Sequence, residues 1–401
     1  MTPAVQQDAD TDTRVATLVI GGGLLGCAIA YYLAKSGVDV LLAEKCQINS
    51  QASGRNAGSL HFQLEYRMIE HGLESARKAA EAIPLHLHAQ HAWRGLAAEL
   101  QDDLGVVQHG GLMVAETSEQ VERLEQKVAL EQAAGLQIEL LDRVAVRTQA
   151  PYLSPSIVAA AFCPGEGKAD PRRSALAYAR AAARLGARIR SATGVRSLRR
   201  DGRTWRVALD GGASCQADNV VLAAGVWSGR IAQMAGVTLP VSAVGLTMAA
   251  TARTRPFIKH LIQHAGRRLS MKQTPEGNVL IGGGWPATLP QTNGILDLDR
   301  QPELLLPSLA GNLSAATAVI PAAGELPVLR VWTGATALVS DQLPLIGAIP
   351  KAAGLFIATG GSAFTLGPTY AQILADDILG RARTFDTSPY DPKRFGSLTF
   401  A

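Results

Sequence analysis

The sequence predicts an α/β fold in which parallel strands alternate with helices, interrupted by stretches of short strands around tight turns. Three observations carry that prediction. An apolar run at 15–20 (VATLVI) passes through a glycine cluster into a helix-like segment and a second apolar run at 38–43. The order strand, glycine turn, helix returns near the other end, at 354–379. Between them, 187–225 and 268–285 read as short strands around the turns Asp201-Gly202 and Pro275-Glu276-Gly277-Asn278.

With 401 residues, 47% apolar and 18% charged, the chain has ample core material and a length that suits two domains. Its 40 glycines exceed the usual share without collagen periodicity, pointing to tight turns and close backbone approach to a ligand. A net charge of only +4 argues against nucleic acid as a partner, and the densest basic run, 196–206, reads as a solvated hairpin. The cysteines, Cys27, Cys46, Cys163 and Cys215, form no C-x-x-C pair, so no zinc or iron–sulfur site is expected, and scattered thiols fit a reducing compartment. His86, His88 and His91 invite a metal reading, but helical phase separates them and no acid or thiol is near, so they are read as helix-surface or interface residues. The polar, acidic residues 1–14 lack the basic start and apolar core of a secretory signal. Residues 15–34 are uncharged and long enough to span a bilayer, but their glycines favour a soluble βαβ unit.

Each piece of that unit has a physical reason. The run at 15–20 reads as a strand buried on both faces. Gly21, Gly23 and Gly26, with Leu25 in the intervening pair, form G-x-G-x-x-G; a helix at 27–36 ends at Gly37, and the strand at 38–43 ends at Glu44. Gly21 permits the tight turn, Gly23 lets the backbone approach a pyrophosphate, and Gly26 lets helix pack on strand. The helix N-terminus faces phosphates, and Glu44 accepts hydrogen bonds from a ribose diol, which disfavours the 2′-phosphate of NADP. Three further segments favour FAD over NAD. In QASGRNAGSLH (51–61), small residues permit close approach while Arg55 and Asn56 donate. VVLAAG (220–225) reads as a buried strand ending in small residues, with Trp227 and Ser228 beyond. GLFIATGGSAFTLG (354–367) leads into a helix whose N-terminus suits the negative edge of a reduced flavin.

This arrangement resembles the D-amino-acid oxidase superfamily of FAD-dependent amine oxidoreductases from about residue 15 to 380. The resemblance implies a discontinuous, Rossmann-like α/β FAD domain (14–84, 150–238 and 328–401) and an α+β substrate domain with a mixed or antiparallel sheet (85–149 and 239–327). It implies that Gly21, Gly23, Leu25, Gly26, Glu44 and Lys45 contact the ADP half of FAD, with Val195 beside the adenine. Ser53, Arg55, Asn56, Ala57, Gly58 and Ser59 would follow the pyrophosphate and ribityl chain. Ala224, Gly225 and Trp227 would close the nucleotide end; Gly360, Gly361, Ser362, Phe364, Thr365 and Leu366 would lie along the flavin ring. SGRNAGSLHFQ and IGGGW look most like the FAD subunits of heteromeric bacterial dehydrogenases, the B subunits of opine oxidases first and the β-type subunits of D-hydroxyproline dehydrogenases next.

That resemblance implies an α-type flavoprotein partner, a small iron–sulfur subunit, and FMN at a subunit interface, in the cytoplasm or held peripherally at the inner membrane through those partners. One position departs from the family. Many members carry Arg two residues after the glycine matching Gly334, where it clamps the substrate carboxylate; here it is Thr336. The hairpin at 268–285 would face the flavin, making Met271, Gln273 and Trp285 pocket candidates, or Lys272 if the strand phase is shifted. His61 is placed either to orient substrate or move a proton, or to bond within the protein. The expected reaction is hydride transfer from Cα of an amine to flavin N5, then imine hydrolysis, which needs positioning rather than a strong base. A self-sufficient FAD oxidase and a non-catalytic flavin subunit are the alternatives.

Overall fold

In a computed structural model, which describes residues 12–383 and 385–396, the chain is organised around two large sheets. Residues 1–11, which hold most of the segment expected to lack a secretory signal, lie outside the described residues. The first sheet runs Leu345–Ala348, Leu355–Thr359, Ser214–Leu222, Asp12–Ile20, Val40–Ala43, Arg188–Arg190. Every neighbouring pair is parallel except the outermost, Leu345–Ala348 with Leu355–Thr359. The basic run forms the arms Val195–Asp201 and Thr204–Leu209 of a hairpin that pairs on Ser214–Leu222.

The first strand reads as a continuous apolar run because both its faces are covered. Val19 packs under the helices Leu24–Lys35, Pro171–Arg184 and Gly367–Ile378, while Val15, Leu18 and Ile20 face a second core with Trp205, Val207 and Leu222. The first helix starts at Leu24, before the expected residue 27, because Gly23 is its extended N-cap and Leu24, Leu25 and Gly26 form its first turn: the Cys27 N–H donates to the Gly23 carbonyl at 3.0 Å. The uncharged stretch 15–34 is therefore strand, turn and helix, and among the described residues no helix is long and apolar enough to cross a membrane.

The second sheet is mixed and nine-stranded. It runs Pro286–Ala287, Val241–Arg253, Asn278–Gly282, Ser270–Gln273, Leu261–His264, Gly111–Ala115, Ala159–Cys163, Glu139–Asp142, with Val328–Val339 paired along Val241–Arg253. Only Leu261–His264 and Gly111–Ala115 are parallel neighbours. One face packs against the helix Leu306–Val319 through Ala249, Met271 and Ile281. By alternation, Met248, Ser270, Lys272, Leu280 and Trp332 point to the other face.

Several expectations are corrected. Strand Val328–Val339 belongs to the second sheet rather than opening the last FAD segment, because its backbone pairs with Val241–Arg253. Ala159–Cys163 is likewise a second-sheet strand inside the expected FAD segment 150–238. Helix Ile83–Leu100 packs on Gly367–Ile378 and Pro171–Arg184, so residues 85–100 side with the first sheet. Pro84 sits in the first turn of Ile83–Leu100, where no N–H is needed, and the break from the preceding helix, Leu73–Ala80, falls at 81–82. Ahead of the strand Gly111–Ala115, Val107 makes an isolated bridge to Lys168.

Candidate FAD and substrate site

A cavity of about 630 Å³ lies at the C-terminal ends of the parallel strands, where Ile20, Ala43, Ala223 and Thr359 meet it. At one end its wall is mostly backbone. Gly21 has φ +116°, and a Cβ there would stand 2.5 Å from the Ala223 carbonyl oxygen. A Cβ on Gly26 would overlap the Gly21 carbonyl oxygen, so Gly26 is what lets the helix start against the turn. At the helix N-terminus Gly23 offers no capping side chain, while the Leu24 N–H donates to Ser53 Oγ at 2.9 Å. Glu44 lines the cavity and braces the turn: one carboxylate oxygen accepts from the Gly22 N–H at 2.6 Å, the other from the Cys46 N–H at 2.7 Å.

Beyond Glu44, Lys45 lies 3.8 Å over the Trp227 ring and pairs with Asp299. Asp299 also accepts from Trp227 Nε1 at 3.1 Å and Arg230 Nη1 at 3.2 Å. Val195, Ala224 and Gly225 complete this end with Arg196 and Asp210, which form an ion pair; Asp210 also accepts from the Gly194 N–H at 2.7 Å. Sequence reasoning missed Asp299, Arg230, Asp210 and Arg196. No local signal marks them; Asp299 stands 254 residues from Lys45.

The opposite end is assembled from both sheets. Ala335, Thr336 and Ala337 come from the second sheet, and Gly360, Ser362 and Phe364 from the turn after Leu355–Thr359. Ser362 has φ +55°; its hydroxyl accepts from Arg67 Nη2 and donates to Glu65 Oε1, both at 3.0 Å. Arg67 Nη1 donates to Gln342 Oε1 at 2.8 Å. Burial works against the Glu65 charge, but Arg67, His61 and Ser362 outweigh it and bring its carboxyl down to about 2.

Of the FAD residues expected, Gly21, Gly23, Leu25, Glu44, Lys45, Ser53, Asn56, Val195, Ala224, Gly225, Trp227, Gly360, Ser362 and Phe364 line this one cavity. Gly26, Arg55, Ala57, Gly58, Ser59, Gly361, Thr365 and Leu366 stand behind the wall. The Arg55 carbonyl accepts from Trp332 Nε1 at 2.7 Å, joining the two sheets. Gly58, at φ +70°, lies against the Ala169 carbonyl, and Thr365 Oγ1 donates to the Ser59 carbonyl at 3.0 Å.

Among the substrate-pocket candidates only Thr336 meets the cavity. Met271 is fully buried in the core on the other face of its sheet. Gln273 closes its own hairpin: its Oε1 accepts from the Phe257 and Ile258 N–H groups, and its Nε2 donates to the Arg255 and Gly277 carbonyls. The Trp285 indole packs over Gly311 of helix Leu306–Val319, and its Nε1 donates to the Arg268 carbonyl at 2.8 Å. Lys272 points to the face of its sheet opposite Met271, into a different, smaller cavity. His61 is buried with Nε2 3.0 Å from Ser270 Oγ and Nδ1 4.0 Å from Glu166 Oε1. Burial lowers its pKa to about 4, so it is neutral at ordinary pH. His86 is not a surface residue; it is buried, its Nδ1 2.9 Å from the Phe62 carbonyl oxygen. Among the described residues no group of three His, Cys, Asp or Glu is placed to hold a metal ion.

The long cavity, the uncapped helix N-terminus and glycines that tolerate no Cβ fit an extended dinucleotide such as FAD. The family model for FAD-dependent oxidoreductases designated DAO matches residues 16–377. The chain belongs to that family. DAO-family enzymes of this kind act on amino-acid C–N bonds, and this chain is an oxidoreductase of that type. It is 27% identical to glycine oxidase of Geobacillus kaustophilus, over 95% of this chain and 97% of that protein. It is also 27% identical to the opine oxidase B subunit of Rhizobium meliloti, over 95% of this chain and 98% of that one. The crystal structure of the G. kaustophilus glycine oxidase superposes with a TM-score of 0.83 at 25% identity, covering 95% of this chain and 99% of that one.

Proposed function

We propose that this chain is the FAD-bearing catalytic subunit of a heteromeric dehydrogenase that oxidises the Cα–N bond of an opine or related secondary amino acid. The observation that carries the reading is Thr336, an uncharged side chain at the end of the cavity where many relatives are expected to place a carboxylate-clamping Arg. A small amino acid held only by that clamp does not suit the site, and end-to-end similarity to an opine oxidase B subunit supplies the larger substrate class.

Gly21, Gly23, Ser53 and the first-helix N-terminus would hold the pyrophosphate, and Glu44 a ribose. Lys45, Val195, Trp227 and Asp299 would enclose the adenine end; Gly360, Ser362 and Phe364 would border the flavin ring. FAD supplies a two-electron acceptor for the hydride leaving Cα. The protein's part is to exclude water, orient Cα–H and keep the amine unprotonated. Neutral His61 braces the segment after Ser59–Leu60 against Ser270 of the strand Ser270–Gln273 rather than acting on substrate. Water then cleaves the oxidised substrate to an amino acid and a 2-keto acid. An α-type flavoprotein and a small iron–sulfur subunit would carry electrons away, with FMN at an interface.

Glycine oxidase, matched to the same extent, supports a second reading, a single-chain oxidase. The test is anaerobic bleaching of the flavin's visible absorbance by octopine, nopaline, D-hydroxyproline, sarcosine and glycine, with the chain alone and with its genomic-neighbour subunits. Bleaching by an opine supports the proposal. Bleaching by glycine or sarcosine alone, with peroxide released by the isolated chain, supports the second reading. No bleaching in the assembled complex removes both in favour of a flavin-holding subunit.

A further inference from the structure

Lys272 is 3% exposed, and its ammonium nitrogen has no hydrogen-bond partner. A buried ammonium has three ways to exist: paired with an acid, neutral, or beside a captured anion. The nearby acids are committed elsewhere. Asp170 accepts from the backbone N–H and guanidinium of Arg172, and Glu166 from the Phe62 and Gln63 N–H groups and Gln63 Nε2. Glu276 faces Arg172 at 4.0 Å.

Lys272 instead borders a cavity of about 10 Å³, the space of one water or one monatomic ion. Its ionisable lining is wholly basic: Lys168, Lys259, Lys272, His109 and His260. Lys259 and His109 are exposed at its mouth, and His260 is held by Tyr152 through a 2.7 Å contact. Lys168 sits beside Lys272 with its ammonium on the Gln273 carbonyl, so the two amines repel across the cavity.

We infer that this cavity is a site for a single small inorganic anion of chloride size, held between the Lys272 and Lys168 ammonium groups. It is separate from the FAD cavity; the two share no lining residue. An anion accepts the hydrogen bonds Lys272 cannot place within the protein and offsets the repulsion between the two amines. Burial and Lys168 together drive the Lys272 pKa well below its ordinary value when nothing occupies the site, so occupancy and the charge on Lys272 are linked.

The test uses the FAD-loaded full chain. Crystals grown with bromide replacing chloride should show an anomalous peak within hydrogen-bonding distance of Lys272 Nζ. In solution, chloride should raise Tm above that in equal ionic strength of gluconate, too large for the cavity, by about 3–5 °C at a hundredfold excess over Kd. Lys272→Met should fold and lose that difference, because a buried charge replaced by an apolar side chain of similar volume is often tolerated. Lys168→Met, which keeps Lys272, should weaken chloride dependence at least tenfold. Water at the site, or equal Tm in the two salts for the wild type, overturns the inference. So does a chloride effect that survives Lys272→Met.

Discussion

At the glycine turn itself the cavity wall is main chain, contributed by neighbours in sequence: Gly21, Gly23 and Glu44 lie within one βαβ unit. At the Thr336 end it is assembled across the molecule. Ser362 meets Arg67 at a separation of 295 residues, and Trp332 meets the Arg55 carbonyl at 277. The first end rests on backbone conformation, which glycine spacing encodes locally. The second rests on strand phase and sheet order, which no local segment records. The contrast teaches where substitutions should erase cofactor binding and where they should alter only stability or choice of substrate.

The largest effect is expected at the backbone end. Gly26→Val has no space beside the Gly21 carbonyl and should lower the flavin-to-protein absorbance ratio at least tenfold. Retained flavin would break the comparison. Next comes Met271→Ala, which should cost about 2–5 kcal/mol of stability by calorimetry while leaving kcat/KM of the folded enzyme unchanged. A changed KM with unchanged Tm would mean that the strand presents its other face. Glu44→Gln loses a charged acceptor for two backbone N–H groups, about 1–3 kcal/mol, and should weaken FAD binding roughly ten- to hundredfold in a fluorescence titration.

Thr336→Arg should shift kcat/KM about tenfold from opines toward small amino acids, about 1.4 kcal/mol, without altering FAD affinity. The smallest effect concerns the buried pair behind the wall. His61, lowered to about 4 by burial, makes stability rise with pH between about 4 and 6.5, because the unfolded state binds the extra proton there. Glu166, raised to about 7 by burial, has the opposite sign: the folded state holds the proton, and stability falls between about 4.5 and 7. His86, His260 and His264 are lowered by burial in the same way, so His61→Asn should lessen the rise with pH and Glu166→Gln should steepen it, read as Tm against pH. Unchanged profiles in both variants would show that neither group titrates as its burial requires.

The comparison also orders what could be read in advance. Strand 15–20, the glycine turn and Glu44 were legible because each is a local demand of backbone geometry. The hairpin at 268–285 was legible as a hairpin, but not in its facing. Period-two alternation states that Met271 and Lys272 point opposite ways; it does not say which face the core takes. Trp285 is a pocket candidate only if its end of the hairpin faces the flavin; instead helix Leu306–Val319 offers it Gly311 to pack against.

By itself, then, the sequence determined a Rossmann-type dinucleotide fold and the glycine turn that borders the cavity, because φ, Cβ clearance and helix termini are properties of a few consecutive residues. The tertiary structure alone decided that Val328–Val339 joins the second sheet, that Asp299 closes the nucleotide end, and that Lys272 faces a basic cavity of its own. Those outcomes depend on pairings across tens to hundreds of residues, where the free energy of burial, not local conformation, selects the partner.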